Sequence, residues 1–163
     1  MNPNDVNCEY DGPDKDRNAL VKLYTDYWTA NDVLVTDMLP PIWDDSEKNV
    51  FFNTNGHIYT GLADWFNIWD YYRPRMKMLE AARPGNVKIR VRGDMALVTD
   101  DCVTRSYEWL DDRDGEPRFV RGNPLVRMSM VAERLDGEWK TIHVHFSERA
   151  DGLRPDEAAK LTA

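Results

Sequence analysis

The run Gly137-Glu138-Trp139-Lys140-Thr141-Ile142-His143-Val144-His145-Phe146-Ser147 alternates polar and apolar residues with a period of two. Successive side chains of a strand point to opposite faces, so this pattern predicts a β-strand. Trp139, Thr141, His143, His145 and Ser147 then share one side, and Ile142, Val144 and Phe146 the other. Two of the chain's three histidines fall on one face. Whether that face meets a pocket, a partner or water governs how the sequence is read for function.

Immediately upstream, Asp136-Gly137 predicts a hairpin turn into a strand over 119–134, bent near Gly122-Asn123-Pro124 because proline interrupts a ladder. Residues 95–109 and 87–91 complete an antiparallel meander, with turns at 111–115 and 92–94. Before it, Leu62, Trp65, Phe66, Trp69, Tyr72 and Met76 recur at helical spacing and predict a helix from Gly61 to about Glu80, kinked at Arg73-Pro74-Arg75. A linker over 81–85 follows. Residues 49–53 and 57–60 predict a hairpin around Asn53-Thr54-Asn55-Gly56. A first helix starts at Asp16, carries Leu20, Leu23, Tyr24, Tyr27, Trp28, Leu34, Val35 and Met38, and is ended by Pro40-Pro41. Residues 1–14 form an irregular lead-in, and the charged tail from Arg149 ends in a short helical run. This order predicts an α+β fold, a curved antiparallel sheet wrapped over N-terminal helices, as a single domain over 1–163.

Such a cone has an inside. The small apolar set Ala96, Val98, Cys102, Thr104 and Ser106, with Met128, Met130, Ala132, Ile142, Val144 and Phe146, is assigned to the concave side. Arg105, Tyr107, Arg127, His143 and His145 fall on the convex side. Asp100 shares the apolar face, where a carboxylate is costly unless it is paired, protonated or wet.

Charge and composition narrow the partners. Lys and Arg number 21 against 29 Asp and Glu, a net charge of -8. That balance argues against a nucleic-acid backbone or an acidic membrane surface. No apolar run approaches the roughly 20 residues of a membrane span, and the polar, acidic first residues do not read as a signal peptide, so a cytoplasmic location is expected. Cys8 and Cys102 lack Cys-x-x-Cys spacing, which gives no disulfide framework or zinc ribbon. Six Trp, seven Tyr and five Phe supply core area and walls for a flat ligand.

The ending Asp136-Gly137-Glu138-Trp139 through His143-Val144-His145-Phe146-Ser147, with Gly93-Asp94-Met95-Ala96 and Tyr59-Thr60-Gly61 before a helix, resembles the SnoaL-like branch of the nuclear transport factor 2-like superfamily. The resemblance spans about residues 18–147 and implies a cone-shaped barrel. It says little about function, because the superfamily includes isomerases, cyclases, dehydratases, lyases and association domains. In ketosteroid isomerase-like members a tyrosine of the first helix, an acid just after it and an acid on the sheet converge; Tyr24, Asp44 or Asp45, and Asp100 occupy comparable places. The aromatic-rich stretch from Phe51 to Tyr72 is also similar to that of cofactor-free sphingomonad lyases that release formaldehyde from lignin-derived aromatic dimers.

Four residues are therefore candidates for catalysis: Tyr59 and His57 as acids, and Asp45 and Asp100 as bases. Tyr24, Trp28, Phe52, Trp69, Arg73, Met130, Val144 and Phe146 are candidates for holding a small aromatic substrate. The bland alternatives stand beside these: Tyr59 packs, His57 and Arg73 are solvated, and Asp45 is a linker residue. His143, His145 and His57 have types suited to a metal site, but His143 and His145 fit a homodimer or larger homo-oligomer contact through their sheet face better. No cofactor fingerprint, phosphate loop or nucleophile elbow is present, so the expected chemistry is cofactor-free proton transfer.

Overall fold

In the computed structural model, which describes residues 1–150 together with Gly152 and Arg154, two helices pack on one large curved sheet. The helical run expected in the tail lies outside the described residues. The elements are β1 (Cys8–Asp11), α1 (Asp14–Val33), β2 (Val50–Phe52), β3 (Ile58–Thr60), α2 (Gly61–Tyr72), β4 (Met76–Arg83), β5 (Val87–Arg92), β6 (Met95–Asp111), β7 (Arg118–Gly122), β8 (Leu125–Leu135) and β9 (Glu138–Glu148). The sheet order is β1-β5-β6-β8-β9-β2-β3, with β4 and β7 pairing the far half of β6. Its end strands, β1 and β3, do not pair with each other, so among the described residues the sheet stays open.

The first helix buries Leu20, Leu23, Tyr24, Tyr27 and Trp28, whose spacing of three and four places them on one stripe. It ends earlier than Pro40-Pro41. Leu34 takes a left-handed conformation, φ 53°, and its N–H returns to Ala30 O at 2.8 Å. That cap closes the helix without proline, and the buried Leu34 side chain holds it.

The second helix stops at Tyr72, and the expected continuation to about residue 80 is a strand instead. Pro74 cannot donate to a helical turn, and Met76–Arg83 finds its hydrogen bonds on β6, pairing Met76 with Trp109 and Met78 with Tyr107. The linker expected over 81–85 is thus partly strand. The single bent strand over 119–134 is two strands, β7 and β8, divided at Asn123-Pro124. The irregular lead-in contains β1, which pairs in parallel with β5, Cys8 opposite Val87.

Two bulges decide which residues face the helices. Between Asp100↔Met128 and Val103↔Val126, β6 carries one residue more than β8. An extra residue exchanges the two faces from that point onward. Val98 and Asp100 are buried before the bulge; Val103 and Arg105 are buried after it, while Thr104 is exposed. The concave assignment of Cys102 and Thr104, and the convex one of Arg105, are therefore reversed. In the same way β9 inserts Ile142 opposite the Val131-Ala132 step of β8. Thr141 is fully buried there and Ile142 is not.

Candidate active site

Between the two helices and the sheet lies a small, partly open cavity of about 70 Å3. Its walls are aromatic. Tyr27 and Trp28 come from α1, Trp65 and Trp69 from α2, and Phe146 from β9. Phe146 lies parallel to Tyr27 at 5.7 Å and to Trp65 at 6.5 Å between ring centroids. Flat, polarisable walls of this kind favour a flat ligand. The exposed side chains Thr54 and Glu148 mark the mouth, with Tyr72, Met76 and Tyr107 beside them.

The buried end holds Arg105. Its residue exposure is 8 %, and no carboxylate among the described residues lies within ion-pair distance of it. Nη2 has only the Met78 sulfur at 3.2 Å, and Nε has no partner at all. The guanidinium carbon stands 5.2 Å from the centre of the Trp28 ring. Burial lowers its pKa, and Asp32 opposes that shift. The Asp32 carboxylate is engaged elsewhere, accepting the Ala82 N–H at 2.9 Å. Asp32 offsets the charge only from a distance, and a buried cation without a direct ionic partner is costly. Trp65, on the same cavity, also leaves its buried indole N–H unpaired.

At the mouth, the Asn55 amide nitrogen donates to Tyr59 Oη at 2.7 Å and to Tyr72 Oη at 2.8 Å. Its carbonyl oxygen accepts the His57 N–H at 2.9 Å. Burial, with the neighbouring Tyr59, pushes the Tyr72 hydroxyl up to about 12. Tyr72 thus stays protonated near neutral pH, and its hydroxyl can donate a hydrogen bond. Burial likewise raises the Tyr27 and Tyr107 hydroxyls.

Of the site residues named from the sequence, Trp28, Trp69 and Phe146 line this cavity and the others do not. Asp100 is fully buried and fully occupied. Its Oδ2 accepts from Tyr24 Oη at 2.7 Å and Gly85 N at 2.9 Å, and Oδ1 from Cys102 N at 3.0 Å. The bulge, not a wet pocket, accounts for this carboxylate. Met130 and Val144 are packed in the core with no exposure. Tyr59 leans edge-on against Trp65, its centroid 5.4 Å away. His57, Asp45 and Arg73 are exposed. Asp44 rather than Asp45 is engaged, accepting from Asn49 Nδ2 at 2.8 Å and so tying down its loop.

Phe52 points the other way, toward the outer face. There it meets His143 and His145 edge-on at 5.3 and 5.5 Å, while Phe51 enters the core. His143 Nδ1 lies 2.5 Å from Val50 O. Among the described residues, no three His, Cys, Asp or Glu side chains converge as metal ligands. No helix there is long and apolar enough to cross a membrane.

Sequence reasoning missed Arg105, Tyr107 and Glu148. A strict period of two put Arg105 on the convex side, and only the bulge brings it inward. No pattern along β6 alone signals the extra residue; the register against β8 shows it.

An open curved sheet packed over two helices, with an aromatic cavity at their junction, defines the architectural class. The family profile of the SnoaL-like domain matches residues 18–151, and the chain belongs to that family. Solved structures agree on the fold. A ketosteroid isomerase-like protein from Erwinia carotovora atroseptica is 12 % identical, with a TM-score of 0.68, over 85 % of this chain and 99 % of its own. An NTF2-like protein from Cytophaga hutchinsonii is 16 % identical, TM-score 0.61, over 82 % and 98 %. The CaMKII hub of S. rosetta is 21 % identical, TM-score 0.57, over 85 % and 98 %. Comparison with curated proteins finds no match.

Proposed function

We propose that the chain is a cofactor-free enzyme that performs acid–base chemistry on a flat aromatic molecule held in the cavity. The observation that carries this reading is the cavity itself, aromatic on its walls and carrying a proton donor, Tyr72, and a carboxylate, Glu148, at its mouth. The specific reaction proposed is release of formaldehyde from a lignin-derived diarylpropane diol. Tyr72 assists the benzylic hydroxyl to leave as water while the phenol supplies the electrons, giving a quinone methide. Glu148 then takes the proton of the terminal hydroxyl. The carbon–carbon bond breaks, formaldehyde leaves, and the bonding pair forms the stilbene double bond and returns the ring to a phenolate. Glu148 gives back its proton to make the phenol, and the proton that the phenol lost in the first step restores Tyr72. The walls desolvate and place the reactant.

Tyr72 and Glu148 take the acid and base roles because Tyr59, His57, Asp45 and Asp100 do not line the cavity. Incubation with a diarylpropane diol tests the reading: stilbene absorbance and formaldehyde should appear together, and Tyr72→Phe and Glu148→Gln should lower kcat. Absence of both products with wild-type protein ends the lyase reading.

A ketosteroid isomerase-like or dehydratase reaction is the alternative. It has the fold likeness behind it but would need Tyr24 and Asp100, which are engaged with each other. A third reading, assembly through the sheet, has its own observation. Leu97, Val131 and His143 stand in one cross-strand row on the outer face, and Thr99, Ser129, His145 and Phe52 in the next. Leu97 is 42 % and Phe52 37 % exposed. A second copy of the chain covering this face gives a homo-oligomer; Leu97→Asp should then reduce the sedimentation mass, and unchanged mass excludes this interface.

A further inference from the structure

We infer that the buried end of the cavity is an oxyanion site, in which Arg105 holds the carboxylate or phenolate oxygen of a planar aromatic ligand. This deepens the proposed function, since it rests on the same cavity and names the chemical class of what enters it. Five observations lead there. Arg105 lines the cavity at 8 % exposure, with no partner on Nε and only a thioether sulfur on Nη2. A thioether is a weak acceptor, so the strongest donor group of the cavity has no matching acceptor from the protein. Trp65 adds an unpaired indole N–H to the same walls.

The nearby acidic group, Asp32, offsets part of the charge but makes no hydrogen bond to Arg105; its oxygens take the Ala82 N–H. The polar groups nearby are also donors. Tyr27 and Tyr107 keep their protons, their hydroxyls being raised by burial. Finally, the polarity along the cavity has a direction. Glu148 sits at the mouth and Arg105 at the inner end, so a ligand with one anionic oxygen is driven to enter anion first. Its ring then lies among Trp28, Trp69 and Phe146, and its reactive substituent is left beside Tyr72 and Glu148.

Carboxylate and phenolate share this recognition, and the experiment separates them. Tryptophan fluorescence is titrated with benzoate, with its neutral isostere benzamide, and with 4-nitrophenol below and above the pH at which it ionises. Benzoate should bind at least about tenfold more tightly than benzamide, the difference expected of one charge-assisted hydrogen bond. A gain of similar size on ionisation of 4-nitrophenol assigns the site to phenolates as well; its absence restricts the site to carboxylates. Arg105→Gln should abolish the preference and Arg105→Lys should keep part of it. Equal affinity for benzoate and benzamide, or no saturable response to benzoate, overturns the inference on wild-type protein alone, even where Arg105→Gln does not fold. The outcome is independent of the lyase reading: an anion preference without formaldehyde release leaves the oxyanion site and removes the reaction. Formaldehyde release with no anion preference does the reverse.

Discussion

The Tyr24 hydroxyl donates a 2.7 Å hydrogen bond to Asp100 Oδ2, and this pair joins α1 to the point where β6 leaves its regular pleat. Asp100 also takes the Cys102 and Gly85 N–H groups, so three donors converge on one buried carboxylate. Burial and the adjacent Asp100 carboxylate both raise the Tyr24 hydroxyl strongly. It remains a donor throughout the accessible pH range. The first expected outcome is a loss of stability, not of chemistry. Tyr24→Phe removes one donor from a charged acceptor and should cost about 1–3 kcal/mol, read from the midpoint of urea unfolding. Benzoate affinity should change little. A large loss of turnover at unchanged stability would bring Tyr24 into the chemistry.

Gly85 is held by a close approach. A Cβ placed there would stand 2.5 Å from the Cys102 carbonyl oxygen and 2.7 Å from its carbonyl carbon. Backbone cannot yield as a flexible side chain does, and Gly85 N is also one of the three donors to Asp100. Gly85→Ala should therefore displace the bulge and lower the thermal midpoint by several degrees, about 1–3 kcal/mol or more. Gly122→Ala offers the comparison. Its Cβ would meet the Tyr107 ring at 2.8 Å, so it should disturb ligand binding at the cavity mouth, measured by the benzoate titration.

Asn55 bridges Tyr59 and Tyr72 from a turn whose Gly56 has φ 80°. Asn55→Ala breaks both bonds at an exposed position, so stability should change by less than about 1 kcal/mol. The turn residues Asn53 and Thr54 line the cavity, and loosening the turn should raise KM for a diarylpropane diol several-fold while kcat falls less. A variant with wild-type KM would detach this turn from the site.

How much of this was legible in the sequence depends on where the pleat stays regular. Trp28 and Trp69 were found because helical spacing is insensitive to single insertions in the sheet. Phe146 was found because it lies beyond the Ile142 bulge in a run whose alternation resumes. Arg105 was lost because one extra residue after Asp100 exchanges the faces of β6, and no count along a single strand reveals that. β4 was read as helix because Trp69, Tyr72 and Met76 continue a spacing of three and four across Pro74. Partner hydrogen bonds from β6, which are non-local, override that local pattern.

The last expected outcome concerns acid stability. Asp16, in the first turn of α1 and 3 % exposed, pairs with Arg134 near the end of β8, Nη2 to Oδ2 at 2.7 Å. Arg134 also faces Asp94 at 3.3 Å and lies over the Trp139 ring, 4.6 Å from its centroid. The Arg134 guanidinium beside it holds the Asp16 carboxyl below its ordinary value of 3.8, against the desolvation that opposes it. A carboxyl lowered in the folded state binds fewer protons there than in the unfolded chain. Its contribution is therefore present above the ordinary value and is lost as pH falls through the lowered one. Arg134→Met should lower the urea midpoint at pH 7, and the gap from wild type should narrow as the pH is brought below about 4. Arg113→Met supplies the surface comparison, since the Arg113 side chain is 83 % exposed in its pair with Asp111 and exposed pairs contribute about 0–1 kcal/mol. A gap for Arg134→Met that stays constant from pH 7 to pH 3 would mean that Arg134 stabilises the fold by covering Trp139, not by its charge on Asp16.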